Sequence, residues 1–151
     1  MIIIREATEE DIPHILQIEQ EAISPPWTHG ALLSEMYNNN SYFVVAYEPG
    51  SPIQGFTILR RTADEGELLQ IAVKKTARRR GIAGSLISAA LGYAEKNTLK
   101  SVHLEVRKGN EAAISLYEKH SFKTVRQRKD YYTTPVEDAT VMVWQVGQPI
   151  V

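Results

Sequence analysis

Three groups of residues have types and spacings suited to chemistry. The first is the segment Val73-Lys-Lys-Thr-Ala-Arg-Arg-Arg-Gly-Ile-Ala-Gly84. Gly81 and Gly84 flank the small Ala83, so the backbone can approach a ligand closely and aim N–H groups at it. A helix starting here adds partial positive charge, and Arg78, Arg79 and Arg80 add full charges, which suits a pyrophosphate-like anion. The same pattern suits a solvated basic loop ahead of a glycine-started helix, and taken alone it leaves the two readings about even. The second group centres on Glu105. Strand alternation puts Val102, Leu104 and Val106 on one face and His103 and Glu105 on the other. A lone Glu in an apolar strand is costly to bury unless it is paired or used. It is therefore either a general base or a carboxylate near the sheet surface. The third group is Asn110 and Tyr117, whose spacing of about two helical turns puts both on one helix face. Tyr117 either presents its hydroxyl to a site or packs in the core like Leu116.

Positioning these groups requires alternating strands and helices. Residues 2–4 read as a short strand. Thr8 can cap a helix running to about residue 22, with Glu9, Glu10 and Asp11 in its first turn and Ile12, Ile15, Leu16 and Ile18 facing inward. Pro25 and Pro26 break the chain, and Thr28 opens a second short helix through Leu32, Leu33 and Met36. Strands are expected at 42–47 and 54–60, paired antiparallel about the turn Glu48-Pro-Gly-Ser-Pro52, and again at 67–73. After the basic loop, Ile82, Leu86, Ala89, Ala90 and Tyr93 keep the helical period over 81–96. A strand at 101–106, a helix at 111–119 and strands at 122–128 and 140–146 complete the order βααβββαβαββ. This is a mixed α/β sheet with interspersed helices.

The chain has 151 residues, 17 basic and 18 acidic side chains, four His and no Cys. That length fits a single domain over 1–151, with roughly 7,700 Å² exposed when folded against roughly 25,000 Å² unfolded. Without Cys there is no disulfide framework, thiolate zinc site or cysteine nucleophile. A reducing, cytoplasmic setting is expected. The formal charge of −1 argues against a general nucleic-acid or membrane-surface binder. No apolar run approaches the roughly eighteen residues of a membrane span, and the start does not read as a secretion signal. The near-balance hides an uneven distribution. Six acids and no Lys or Arg lie between positions 6 and 21, whereas positions 74–80 hold five bases and no acid.

Arg78-x-x-Gly81-x-Ala83 resembles the Arg/Gln-x-x-Gly-x-Gly/Ala signature of the GNAT acetyltransferases. Ile71-Ala-Val73, Leu104-Glu-Val106, Asn110-x-x-Ala113 and Leu116-Tyr117-Glu118 with Phe122 resemble further motifs of that family, in the expected order. Within it, Pro26-Trp27-Thr28, Leu104-Glu-Val-Arg107, Asp130-Tyr-Tyr132 and Glu137-Asp-Ala139 are most similar to the RimI-type N-terminal acetyltransferases of ribosomal proteins. The resemblance covers nearly the whole chain. It implies a mostly antiparallel sheet of about seven strands with four helices, whose middle strands splay apart. It also implies acetyl-CoA as cofactor, no metal, and the N-terminal alanine of a small-subunit ribosomal protein as acceptor.

By that resemblance the pantetheine arm lies in the splay. Main-chain groups at Ile71, Ala72 and Val73 line it, and the amides of Arg79, Arg80, Gly81, Ile82, Ala83, Gly84 and Ser85 hold the pyrophosphate, with Asn110 also at the cofactor. Glu105 would serve as base, with His103 at most flanking the cleft. Tyr117 would donate to the leaving thiolate. A free Tyr near pKa 10 giving its proton to a thiolate whose acid is near 8.5 works uphill by about 2 kcal/mol, so hydrogen bonding is the first reading. Trp27, Tyr131 and Tyr132 sit in loop-like settings suited to gripping a peptide end, or else pack in the core. The acids of the first helix, with Glu137 and Asp138, either favour a basic second residue in the acceptor or form solvated faces. Three positions depart from the family pattern: Lys75 in place of a frequent Pro, Ala77 in place of an aromatic, and Ser121 in place of Gly before Phe122. A non-glycine in a left-handed helix cap costs on the order of 1 kcal/mol, so a slightly altered helix end is expected there. Alternatives to peptide acetylation are a small-amine acceptor, a non-catalytic CoA-binding module and, least favoured, nucleic-acid binding through the arginine loop.

Overall fold

A computed structural model describes residues 1–147. Its elements are β1 (Ile3–Glu6), α1 (Ile12–Ala22), α2 (His29–Met36), β2 (Ser41–Tyr47), β3 (Gly55–Thr62), β4 (Glu65–Val73), α3 (Ile82–Lys96), β5 (Ser101–Arg107), α4 (Glu111–Lys119), β6 (Lys123–Thr133) and β7 (Val136–Gln145). The seven strands form one sheet in the order β1-β2-β3-β4-β5-β7-β6. β4 and β5 pair in parallel, and the other neighbours are antiparallel. The expected order, fold class and strand number hold.

Alternation along the strands sorts the core onto two sides of the sheet. Phe43 and Val45 meet Ile15 and Ile18 of α1 and Leu32 of α2. Val44 and Ala46, on the opposite face, meet Ile82 and Leu86 of α3. Val102, Leu104 and Val106 of β5 lie in the cluster that contains Ile87 and Ala90 of α3 and Tyr117 of α4. His103, Glu105 and Arg107 therefore point to the α1–α2 side. Gly55 lets α3 come close to the sheet: a Cβ there would stand 3.0 Å from the Ala72 carbonyl and 3.1 Å from Ile82.

The entry to α1 is fixed by charge. Thr8, in extended conformation, donates its N–H to the Asp11 carboxylate at 2.8 Å. The same carboxylate receives two guanidinium bonds from Arg5, at 2.8 and 2.9 Å. Burial pushes the Asp11 carboxyl up, but these donors outweigh it and hold it below the usual range.

Two irregularities open the sheet where the candidate residues lie. β4 and β5 pair at Glu65–Ser101, Gly66–Val102 and Glu67–His103, and beyond those pairs they diverge. On β4, the Gln70 and Ala72 carbonyls and the Lys74 N–H face β3: Gln70 O accepts from Thr57 Oγ1 at 2.8 Å, and Lys74 N–H donates to Gln54 O at 2.7 Å. Alternation then turns the main-chain groups of Ile71 and Val73 into the gap. On the far side, the β6–β7 hairpin is longer than the sequence reading of 122–128 and 140–146. Register shifts at Thr124/Arg126 and Arg128/Tyr132 let pairing continue through the irregularities. Tyr131 and Tyr132 thus belong to a strand and not to a loop. β6 is an edge strand exposed along almost its whole length, so it carries no apolar alternation to announce it.

Candidate active site

The splay opens into a continuous cleft of about 970 Å³, running from the start of α3 between β4 and β5 to the β6–β7 hairpin. At the α3 end, Arg79 (φ 66°) and Gly81 (φ 82°) both adopt left-handed backbone. A Cβ on Gly81 would meet nothing within 4 Å, so the glycine serves the dihedral and not the space. The turn delivers the chain into α3 with the Ile82, Ala83 and Gly84 amides at the helix start. These are donors that a helix of regular geometry leaves without internal partners. Ser85 is different: its N–H already donates to Gly81 O at 3.0 Å, so it lies outside the donor set expected from sequence. The Arg80 guanidinium is turned away, pairing with Glu48 at 3.0 Å. Arg78 and Arg79 line the cleft and form no ion pair among the described residues. Amides, helix dipole and two free cations fit a pyrophosphate.

The departures in this loop are accommodated locally. Ala77 is buried in the cluster under α3. Lys75, where a proline would lack a donor, gives its N–H to Glu21 of α1 at 3.0 Å.

In the middle of the cleft, β5 contributes Glu105 from one sheet face and α4 contributes Tyr117 from the other. Glu105 Oε1 lies 3.5 Å from Arg128 Nη1, while Oε2 is buried without a hydrogen-bond partner. A buried carboxylate oxygen left open beside a cleft is a natural acceptor for a proton or an ammonium. Tyr117 is buried, and its ring meets Phe122 edge-on at 5.6 Å. Burial, with a smaller contribution from Tyr132, pushes its phenol well above the ordinary value.

Ser121 explains how Tyr117 is held. It takes the left-handed conformation (φ 71°) that favours glycine. Its N–H donates to Glu118 O at 3.0 Å, and the Phe122 N–H donates to Tyr117 O at 3.1 Å. Together with the Tyr117–Phe122 contact, this is a complete Schellman ending. The altered helix end expected from Ser121 does not occur; the serine adopts the strained dihedral instead. Asn110 is the N-cap of α4, accepting the Ala113 N–H on Oδ1 at 3.2 Å, and so stands immediately ahead of the helix that carries Tyr117. Both residues line the cleft.

The hairpin closes the far end. Asp130 (φ 52°) sits at the second register shift and donates its N–H to Asp138 at 2.9 Å. Tyr131 and Tyr132 follow, edge-on to each other at 5.0 Å. Arg128 lies 4.5 Å from the Tyr131 ring centre, and the neighbouring Glu105 carboxylate pushes the Tyr131 phenol up to about 12. Trp27, from the segment between α1 and α2, lines the same end.

Other expectations fail here. His103 lies at the paired end of β5, against Ser101 Oγ at 3.0 Å, away from the cleft. Glu137 and Asp138 are engaged by Arg107, Gly109 and Asp130, so neither stands free to read a substrate side chain. By contrast, Glu9 lies exposed on the outer surface and accepts from the Tyr37 hydroxyl at 2.6 Å, in line with the solvated-face reading of the first helix's acids. Sequence reasoning also missed Glu19. It is fully buried beside Gln70, and its Oε2 accepts the Trp27 N–H at 3.0 Å. Burial pushes its carboxyl up to about 7. The available signal was its place beside Ile15 and Ile18, on the helix face otherwise given to the core.

The chain and its fold are similar to known proteins. The profile of the acetyltransferase (GNAT) family matches residues 8–122. The [ribosomal protein bS18]-alanine N-acetyltransferase of Escherichia coli strain K12 is 32% identical over 139 residues, 91% of this chain and 93% of its own. That of Haemophilus ducreyi is 31% identical over 137 residues, 89% and 93% of the two chains. The crystal structure of the ribosomal-protein-S18-alanine N-acetyltransferase from E. coli superposes with a TM-score of 0.88 at 30% identity, covering 99% of this chain and 97% of that one. By the family match over most of its length and by these relatives, the chain belongs to the GNAT family of acetyltransferases.

Proposed function

We propose that this single-domain enzyme transfers the acetyl group of acetyl-CoA to the N-terminal α-amine of a protein, an N-terminal alanine of a small-subunit ribosomal protein being the favoured acceptor. The observation that carries the proposal is one continuous cleft with an anion site at one end and Glu105 beside an aromatic-walled opening at the other. Acetyl-CoA supplies the acetyl group activated as a thioester. The Ile82, Ala83 and Gly84 amides with Arg78 and Arg79 are suited to its pyrophosphate. The main-chain edge of Ile71 and Val73 is suited to an extended amide-bearing arm, and Asn110 stands beside the path.

The chain's own residues then have defined tasks. An α-amine titrates near 7.7–8.0 and a lysine amine near 10.4, so neutralising an α-ammonium at neutral pH asks little of a base. Glu105 Oε2, open and buried, accepts that proton directly or through a water. The amine attacks the acetyl carbonyl in a ternary complex, with the free Val73 N–H placed to polarise the carbonyl oxygen. The carbon–sulfur bond breaks, and the proton that the nitrogen sheds on becoming an amide passes through water to the departing sulfur, giving the CoA thiol. Tyr117 stays protonated because burial raises its pKa, so it steadies charge on the departing sulfur by hydrogen bonding and does not act as a full acid. Trp27, Tyr131 and Tyr132 form the wall against which the acceptor end rests.

No helix among the described residues is long and apolar enough to cross a membrane. Action in the cytoplasm on a protein acceptor belongs to the same reading and rests on the likeness to the E. coli ribosomal-protein N-acetyltransferase, while the near-balanced charge disfavours nucleic acid and membrane surfaces as partners. The test is CoA release with acetyl-CoA and free-amine peptides, run beside polyamine and aminoglycoside acceptors. Turnover on peptides alone is expected. Turnover confined to small amines overturns the acceptor assignment, and CoA binding without turnover on any amine overturns the enzyme assignment.

A further inference from the structure

Arg107 ends the strand that carries Glu105, two residues further on and on the same sheet face. Its guanidinium holds two segments that no strand pairing connects. Nη2 donates to Ser24 O at 3.1 Å, in the segment after α1, and to Thr134 O at 2.9 Å, in the β6–β7 turn. Nη1 donates to Pro135 O at 3.0 Å and to Glu137 Oε1 at 3.2 Å. The guanidinium carbon also lies 4.3 Å from the centre of the Tyr132 ring. Among the described residues, the one further bond across this seam is from Ser24 Oγ to Thr134 O at 3.0 Å. The first segment lines the cleft directly, from Ser24 to Trp27, and the hairpin lines it through Tyr131 and Tyr132, which lead into the turn that Arg107 holds.

We infer that Arg107 is a positioning residue: a clasp that joins the α1–α2 segment to the β6–β7 hairpin and thereby sets the opening through which the acceptor amine reaches Glu105. The chemistry requires arginine. Its planar fork satisfies three carbonyls and a carboxylate while stacking on a ring, which a lysine ammonium cannot reproduce. Glu137 orients the fork and is itself fixed by the Gly109 N–H at 2.7 Å. A Cβ on Gly109 would stand 2.7 Å from that same oxygen, so residue 109 must be glycine for the carboxylate to sit there. The clasp touches neither the α3 amides nor Ile71 and Val73, so it acts on the acceptor and not on the cofactor.

The inference rests on the reading of this end as the acceptor end, and two measurements separate them. In Arg107→Met, the acceptor-peptide KM rises about tenfold (about 1.4 kcal/mol) while kcat and the acetyl-CoA KM each change less than about twofold. Arg107→Lys recovers only part of the loss. Hydrogen exchange, which needs no acceptor, speeds up together at residues 23–27 and 133–136 and stays unchanged at 82–86. Unchanged exchange in both segments overturns the clasp. Faster exchange with an unchanged acceptor KM overturns its positioning role. A wild-type chain inactive on every peptide overturns the acceptor reading, while the exchange result still decides the clasp.

Discussion

At the α3 end of the cleft, the binding groups are consecutive amides, a helix start and two arginines from one short segment. At the β6 end, Trp27, Glu105, Arg107, Tyr131 and Tyr132 come from three segments more than a hundred residues apart at the extremes. The first end is built of main chain. It tolerates side-chain change wherever the dihedrals survive, as Lys75 and Ala77 illustrate. The second is built of side chains and turns, and each of its contacts depends on another: Arg128 reaches both Glu105 and Tyr131, and Arg107 reaches both lips of the opening. One end can therefore be perturbed with little effect on the other.

The largest separation is expected from Glu105→Gln. Losing the base lowers kcat by on the order of a hundredfold or more, while CoA affinity by calorimetry stays within about twofold; an equal fall in both would merge the two ends. Next comes Tyr117→Phe, which keeps the packing on Phe122 and removes the hydroxyl. Turnover falls about tenfold, the order of one lost hydrogen bond to a charged group. Because burial raises the Tyr117 pKa, the wild-type pH–rate profile shows no decline from this group between pH 8 and 10. Smaller still, Arg78→Ala with Arg79→Ala raises the acetyl-CoA KM about fivefold at low salt and less at high salt, with the acceptor KM unmoved. A shift in the acceptor constant instead would place these arginines at the wrong end.

Two effects should appear in stability alone. Ser121→Gly relieves a left-handed serine and stabilises by about 1 kcal/mol, or about 2–4 °C in melting temperature, with activity unchanged. Glu19 gives a pH signature. Burial raises its carboxyl from 4.5 to about 7, so the folded state binds this proton more tightly than the unfolded one. Its contribution is present below about pH 4.5 and lost as pH rises towards 7. Thermal melts of Glu19→Gln across that window should show a flatter dependence than the wild type.

The same division governs what the sequence could reveal. Recognition by main chain leaves a signature of glycines, small residues and basic charge, so the α3 loop was legible as an anion site from 73–84. Core periodicity placed α2, α3 and α4 within a residue or two and the end of α1 as well, whereas residues 9–11, expected as the first turn of α1, form a tighter 3-10 turn ahead of it. The splay itself followed only from family likeness, since nothing in the run of β4 marks where its pairing with β5 stops. Side-chain assembly leaves no contiguous signal. Glu19 looked like one more acid in an acidic helix, and Glu137 and Asp138 looked free because their partners lie elsewhere in the chain. Arg107 was visible only as the end of a motif. Tyr131 and Tyr132 read as loop residues because an exposed, bulged edge strand has no apolar alternation.

The most direct test of the account uses one peptide carrying both a free N-terminal alanine and an internal lysine, incubated with acetyl-CoA and the enzyme and sequenced by fragmentation mass spectrometry. The account predicts a single acetyl group on the α-amine, with one CoA released for each. Acetyl on the lysine, or no transfer to this peptide, would contradict it.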